Sequence, residues 1–191
     1  MTQTLTPAAS QDLNARRHRL RRYRAVIFDM DGVITDTAGV HAAAWKELFD
    51  EALPAVGALE ANEAAVAADP ERLRPFDAAG DYLHHVDGRP REDGVRAFFA
   101  SRGLRVPEAD APEAESAPEL TVLGLAERKQ GYFEAVLERD GVRVFPEALD
   151  LLEKLRRRGV PVALVTSSKN SRAVLGAGGV LDFFPVIVDG N

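Results

Sequence analysis

The sequence predicts an α/β protein, a Rossmann-like parallel sheet with an inserted helical subdomain. Three apolar, strand-like runs support this fold class, and each ends in polar residues: AVIFD (25–29), VPVALVTSS (160–168) and FFPVIVDGN at the carboxyl terminus. Amphipathic helical patterns separate the three runs, and strands connected through helices form right-handed crossovers in a parallel sheet. The helical block after the first run is too long for a single crossover, so we expect it to fold as a separate subdomain.

Composition limits the classes of function. The chain has 191 residues, of which 46% are hydrophobic and 28% charged, enough for one core and a smaller unit. The formal net charge of -6 favours neither nucleic acid nor an anionic membrane as a partner. The absence of cysteine excludes disulfides and thiolate zinc sites and fits a cytoplasmic protein. No apolar run approaches the ~20 residues that a membrane-spanning helix needs.

Residues 1–24 are polar and rich in arginine. They lack the apolar middle region of a secretory signal, and we expect a solvated tail or a short exposed helix. A transit peptide is the alternative interpretation of this composition.

The first strand, 25–29, has the continuous apolar pattern of a strand buried on both faces. A helix is predicted from Val40 onward, stopped by Pro54. Its apolar face is predicted to contain Ala44, Trp45, Leu48, Phe49 and Leu53.

The predicted subdomain spans 38–140, and the sheet domain comprises 25–37 and 141–191. Within the subdomain, ALEANEAAVAA, REDGVRAFFASRG and LTVLGLAERKQGYFEAVLERD have helical patterns. DYLHHVDGRPR is predicted to be a loop, as is the proline-rich, acidic stretch 105–119. FPEALDLLEKLRRRG (145–159) begins with a proline in its first turn and ends at a glycine, as helices often do.

Two aspartates, Asp29 and Asp31, end the first strand. Two carboxylates this close repel each other unless a cation lies between them or one is protonated, in which case an acid and a base stand side by side. Gly32 permits a tight turn that lets backbone approach a ligand. A calcium loop is the alternative for D-x-D-G, but the spacing of an EF-hand is not met.

Hydroxyl residues end the second strand. Ligands bind at the carboxyl ends of strands in open parallel sheets, so Thr166 and Asp29 are candidates for one site. Ser167 and Ser168 supply further donors, Lys169 adds a cation, and Asn170 begins a helix whose amino terminus attracts anions. A carboxylate nucleophile, a second carboxylate that carries a proton and a phosphate-binding segment suit phosphoryl transfer. Capping of the following helix is the structural alternative for Thr166 and Ser168.

The stretches DMDGVITDT, HAAAW and VTSSKN resemble the haloacid dehalogenase superfamily over residues 25–191. With GRPRED, they are similar more narrowly to its β-phosphoglucomutase branch, which has a helical cap after the first motif. The resemblance implies that the subdomain 38–140 is such a cap.

Site roles follow from this resemblance. It implies that Asp29 is the nucleophile and a Mg²⁺ ligand, and that Asp31 is the general acid/base and gives its backbone carbonyl to Mg²⁺. Matching positions imply phosphate contacts at Thr166, Ser168 and Asn170. In the cap, the resemblance implies linker roles for Asp36 and Thr37, a hinge-side role for His41 and a grip by Arg91 on the phosphate that is not transferred.

The implied reaction is Mg²⁺-dependent conversion of β-glucose 1-phosphate to glucose 6-phosphate through a bisphosphate. A sugar-phosphate phosphatase is the alternative enzyme. The family's later lysine and acidic Mg²⁺ ligands have no match before Asn191, so we expect a truncated, nearly inactive chain with an unpaired edge on the first strand. An inactive fragment that only binds phosphate is therefore a further alternative. A complete protein is expected to be monomeric and to act on a small sugar phosphate.

Overall fold

The computed structural model describes residues 24–191. These divide into two compact units, one formed by 24–35 with Val144–Asn191 and the other by Asp36–Arg143. We call them the sheet unit and the helical unit. The sequence predicted domain boundaries at 37/38 and 140/141.

The sheet unit contains a three-stranded parallel sheet in the order β1-β4-β5, formed by Val26–Phe28, Val162–Val165 and Val186–Val188. Phe28 pairs in register with Leu164, and Leu164 with Ile187. Helices α5 (Pro146–Arg157) and α6 (Ser171–Ala177) lie in the crossovers, followed by a 3₁₀ turn at Leu181–Phe183. This order confirms the predicted α/β class.

Buried side chains of the sheet unit lie on one side of the strands. Phe28 and Leu164 are buried, and the Phe28 ring meets that of Phe184 edge to face at 6.1 Å. Four apolar side chains on the opposite side are exposed, by 68% at Ile27, 46% at Val165, 54% at Val186 and 56% at Val188. The expectation that β1 is buried on both faces is therefore wrong. Within residues 24–191, no helix covers the side of the sheet on which Ile27 lies.

The helical unit is built on α1 (Ala38–Gly57), α2 (Glu60–Ala68), α3 (Arg91–Ser101) and α4 (Val122–Asp140). Shorter turns are 3₁₀ at Pro70–Leu73, Pro112–Glu115 and Pro118–Leu120, and π-helical at Tyr82–Val86. Two short strands, β2 (Thr35–Asp36) and β3 (Arg143–Val144), pair with each other. Within the described residues, no helix is long and apolar enough to cross a membrane.

Aromatic rings fill the core of the helical unit. Phe49 stacks on Phe98 at 4.0 Å and on Trp45 at 4.9 Å, and it also contacts Phe76 and Phe99. All five predicted apolar-face residues of α1 are buried. This packing explains why α1 forms despite a proline within it.

The prediction that Pro54 ends the first helix is wrong, because α1 continues through it to Gly57. Proline removes one amide donor, but its own carbonyl still accepts from the amide of Ala58 at 3.1 Å. Buried Leu53 and Val56 hold this last turn against the core.

Candidate active site

The parallel sheet brings three polar segments to one edge. Asp29 directly follows β1, Thr166 follows β4 and Asp189 follows β5. Since Val165 pairs with Val188, and the pairing of β1 with β4 runs to Phe28 and Leu164, these residues are neighbours at the carboxyl end of the sheet. This edge is the position at which open parallel sheets bind ligands.

The loop after β1 is a tight turn around one buried side chain. Met30 is fully buried, whereas Asp29 before it is exposed and Asp31 after it is half-buried. The Asp29 Oδ1 atom accepts from the Met30 amide at 2.7 Å. Gly32 has a φ of 74°, in the left-handed region that favours glycine, and its amide donates to the Thr35 carbonyl at 2.8 Å. Both carboxylates are therefore held by a turn whose centre is anchored in the core.

The segment after β4 folds back through its own hydroxyls. Thr166 Oγ1 accepts from the Ser168 amide at 3.1 Å, and Ser168 Oγ accepts from the Asn170 amide at 3.2 Å. Both hydroxyls keep a proton to donate to an anion. Ser167 and Lys169 are exposed, and Asn170 precedes the seven-residue α6 without capping it through its side chain.

Asp189 ties the end of β5 to the start of α6. Its Oδ2 accepts from Ser171 Oγ at 2.5 Å and its Oδ1 from the Asn191 amide at 3.2 Å. The hydrogen bond from Ser171, followed by that from the Asn191 amide, holds the pKa of the carboxyl below its ordinary value. Asp189 thus supports the loop in which Thr166 and Ser168 lie.

The donor chemistry of this edge suits Mg²⁺, which prefers oxygen ligands and keeps several of its waters. The family resemblance assigns Mg²⁺ to the Asp29 carboxylate and the Asp31 backbone carbonyl. Across residues 24–191 there is no cluster of three or more histidine, cysteine, aspartate or glutamate side chains placed to hold a metal ion. The residues present could therefore supply two protein ligands to Mg²⁺, and water or substrate would occupy its remaining coordination positions.

The helical unit contains the remaining predicted site residues. Thr37 is buried just before α1, and its carbonyl accepts from the His41 amide at 2.9 Å. The imidazole of His41 stacks on the Phe133 ring at 4.6 Å, and its Nδ1 lies 2.7 Å from Lys129 Nζ. Arg91, the first residue of α3, donates to Gln130 Oε1. Two consecutive residues of helix α4 make these contacts: Lys129 contacts His41, and Gln130 accepts the hydrogen bond from Arg91.

Lys129 is a candidate residue that the sequence interpretation missed. It is 2% exposed, and its Nζ lies 5.4 Å from the Trp45 ring centre and 4.8 Å from that of Phe133. Burial, with the nearby charge of Arg91, lowers the pKa of Lys129 to about 7. The available signal was a lysine four residues before Phe133, on the apolar face of the predicted helix.

His41 is uncharged at neutral pH. Burial lowers the pKa of its imidazole to about 3, with further contributions from the charges of Lys129 and Arg91. The structure therefore groups the predicted residues in two sets. Asp29, Asp31, Gly32 and 166–170 belong to the sheet unit, and Thr37, His41 and Arg91 to the helical unit.

The haloacid dehalogenase-like hydrolase model matches residues 23–191. This chain belongs to that family. Among curated relatives, it is 42% identical over 169 residues to a β-phosphoglucomutase of Mycobacterium tuberculosis, a match that covers 88% of this chain and 60% of the relative. It is 28% identical over 171 residues to the β-phosphoglucomutase of Bacillus subtilis, covering 87% and 60%. The chain thus spans about 60% of the length of these relatives.

Solved structures support the family fold. A haloacid dehalogenase family hydrolase from Entamoeba histolytica has a TM-score of 0.57 at 18% identity, covering 87% of this chain and 61% of the other. CbbY from Rhodobacter sphaeroides, solved in complex with phosphate, has a TM-score of 0.56 at 22% identity, covering 87% and 63%. At these identities the similarity establishes the fold.

Proposed function

We propose that the complete protein containing this chain is a Mg²⁺-dependent β-phosphoglucomutase. It would interconvert β-glucose 1-phosphate and glucose 6-phosphate in the cytoplasm. The observation that carries the proposal is the 42% identity over 169 residues with the mycobacterial β-phosphoglucomutase. The geometry of the sheet edge is compatible with this activity, since Asp29 and Thr166 are neighbours there.

In this proposal Asp29 attacks one phosphorus of the sugar bisphosphate, and the bond between that phosphorus and the sugar oxygen breaks to release a sugar monophosphate. Asp31 gives its proton to the leaving sugar oxygen and takes a proton back when the free hydroxyl of a sugar monophosphate attacks the aspartyl-phosphate, which forms the bisphosphate again and frees Asp29. Thr166 and Ser168 donate hydrogen bonds to the transferring phosphoryl oxygens, with Ser167, Lys169 and Asn170 beside them. A bound Mg²⁺ would supply neutralisation of phosphoryl charge.

Arg91 distinguishes a mutase from a phosphatase in this proposal. A mutase must hold a bisphosphate and present either end of it, so it needs a second, non-reacting phosphate site, for which a guanidinium is well suited. Thr37 and His41 would support that site from the beginning of α1.

A sugar-phosphate phosphatase is the second candidate, because the matching family model describes hydrolases. Here water attacks the aspartyl-phosphate. An inactive phosphate-binding fragment remains the proposal for the 191-residue chain by itself, since it lacks a third acidic metal ligand among the described residues.

The test uses the protein encoded by the complete reading frame that contains these residues. With β-glucose 1-phosphate, Mg²⁺ and a trace of β-glucose 1,6-bisphosphate, glucose 6-phosphate and free phosphate are measured separately. A mutase forms glucose 6-phosphate with little phosphate, whereas stoichiometric phosphate release would establish the phosphatase. Asp29→Asn should reduce turnover by roughly 10³-fold or more, as loss of a nucleophile does. Asp150→Asn, at an exposed aspartate on α5, is the matched control.

A further inference from the structure

The residues that follow β5 lie directly along the residues that follow β4. We call 166–170 the hydroxyl loop and 189–191 the bracing segment. The Thr166 amide donates to the carbonyl of the last β5 residue at 2.9 Å, and the Gly190 amide donates to the Ser168 carbonyl at 3.1 Å. Backbone pairing between the two chain segments therefore continues past the ends of the strands and into the hydroxyl loop.

Side chains extend this contact to the start of α6. Asp189 Oδ2 accepts from Ser171 Oγ at 2.5 Å, and Ser171 is fully buried. The side chain of Asn191 donates to the Lys169 carbonyl at 3.0 Å, while its backbone amide donates to Asp189 Oδ1 at 3.2 Å. The Asp189 carboxylate therefore holds both the bracing segment and the residue at which α6 begins.

Gly190 approaches the hydroxyl loop so closely that no side chain fits between them. A Cβ atom at this position would lie 2.3 Å from the Ser167 carbonyl oxygen and 3.2 Å from Lys169 Cγ. The φ angle of Gly190 is not positive, so the position needs glycine for space and not for a left-handed backbone. Any larger residue would have to push the hydroxyl loop and the bracing segment apart.

These contacts determine the direction of the peptide groups in the hydroxyl loop. The carbonyls of Ser167, Ser168 and Lys169 face the bracing segment. Because C=O and N–H point in opposite directions across a trans peptide, the amides of 168–170 face away from it. Two of these amides donate to the hydroxyl oxygens of Thr166 and Ser168. The bracing segment therefore orients both hydroxyls through the backbone that carries them.

A carboxylate at this edge of the sheet does not serve to attract an anion, since its charge repels phosphate. We propose that Asp189 and Gly190 are positioning residues, which hold the hydroxyl loop in the geometry in which Thr166 and Ser168 contact the transferring phosphoryl group. Both act through the loop. The inference rests on the proposed function, because that function assigns the phosphoryl group to these two hydroxyls, and it applies equally to a mutase and a phosphatase.

The test uses the complete protein with variants at both positions. Asp189→Ala removes both accepted hydrogen bonds, and Gly190→Ala places a methyl group against the Ser167 carbonyl. Each should raise the Kd for inorganic phosphate, measured by calorimetry with Mg²⁺, and lower kcat, both by roughly tenfold or more, as small displacements of catalytic groups do. The matched controls are Asp182→Ala, at an exposed aspartate of the 3₁₀ turn before β5, and Gly176→Ala on α6, where a Cβ has open space. Both controls should stay within about twofold of the wild type.

Asp189→Asn separates positioning from an effect of charge. Asparagine keeps an oxygen that accepts from Ser171 and lacks the charge, so kcat should return to within about threefold of the wild type. Ser171→Ala removes the same hydrogen bond from its donor side, and adding it to Asp189→Ala should lower kcat little further. An Asp189→Asn protein as impaired as Asp189→Ala would show that the charge itself acts, and would overturn the proposal.

Urea unfolding of every variant distinguishes positioning from stability. If Asp189→Ala and Gly190→Ala lower only the unfolding midpoint and leave kcat and the phosphate Kd unchanged, the contacts are merely structural and the proposal is wrong. Should Asp189→Ala fail to fold, Gly190→Ala, at an exposed position, provides the same measurement. The products formed by the wild type test the proposed function separately, and the phosphate Kd does not depend on which product forms.

Discussion

Replacement of Lys129 by methionine should stabilise the protein at neutral pH. Methionine has a similar length without a charge, so it can occupy the space between Trp45 and Phe133. A pKa that falls from 10.5 to about 7 on folding means that burying the ammonium form costs roughly 5 kcal/mol. Loss of the hydrogen bond to His41 and of the contacts between the ammonium group and the two rings offsets about 2 kcal/mol of this gain. We therefore expect the free energy of unfolding to rise by about 2–3 kcal/mol at pH 7 and below.

The pH dependence has a defined sign. The unfolded lysine binds its proton up to about pH 10.5, whereas the folded one releases it from about pH 7, so the cost is fully present below pH 7 and disappears as the pH approaches 10.5. The advantage of Lys129→Met over the wild type should shrink across this window. The pKa of His41 is lowered to about 3 on folding, so below about pH 6.5 the unfolded imidazole binds a proton that the folded one does not. Both proteins therefore lose stability as the pH falls below this value.

Urea unfolding followed by far-ultraviolet circular dichroism at pH 6, 7, 8, 9 and 10 measures the difference. Lys154→Met, at the exposed lysine of α5 that pairs with Asp150, should stay close to the wild type throughout. A Lys129→Met protein that is less stable at pH 7, or whose stability differs from the wild type by the same amount at every pH, would refute the electrostatic reasoning.

Three further predictions concern packing and binding. Gly124→Ala should lower the free energy of unfolding of the helical unit by about 2 kcal/mol, measured with urea, because the new Cβ would lie 2.2 Å from a backbone carbonyl of the preceding 3₁₀ turn. Gly131→Ala, on the same helix, is the control: its Cβ has open space, and the free energy of unfolding should rise by about 0.5–1 kcal/mol. Arg102→Met should cost about 3 kcal/mol by the same assay, since it removes a buried partner 2.6 Å from Asp81; an unchanged midpoint would contradict that ion pair. Thr166→Val should weaken phosphate binding to the sheet unit by roughly tenfold in calorimetry, and unaltered affinity would remove its hydroxyl from the site.

Periodicity was sufficient to predict the three strands and the long helices, because each buries a regular face. The faces of α1 were predicted correctly, since Trp45 and Phe49 recur at helical spacing. Exposure of Ile27 was not predictable from its apolar run, because the run reports what a strand can bury and not which elements are present to cover it. The predicted end of α1 at Pro54 was wrong for a related reason, since tertiary packing of the last helical turn outweighs the one hydrogen bond that proline removes.

The residues of the candidate site likewise fall into those that the sequence predicted and one that it missed. Asp29, Asp31 and Thr166 were found because polar residues after apolar runs identify strand ends. Lys129 was missed because a lysine in a helix is normally solvated, and only the fold shows that its neighbours are His41 and two aromatic rings. The roles of all these residues remain predictions that the assays above address.

The order of the strands has a consequence for synthesis. Val26 pairs with Val162, so the first strand of the sheet leaves the ribosome more than a hundred residues before its partner. At about 5–20 residues per second, this interval is on the order of ten seconds, during which the whole helical unit has been made. Its core is continuous in sequence and can close early, whereas β1 must wait as an unpaired apolar segment. A chaperone that binds nascent chains would therefore find its main target in the residues around Ile27, and slowing translation should lengthen the exposure of this strand without delaying the folding of the helices.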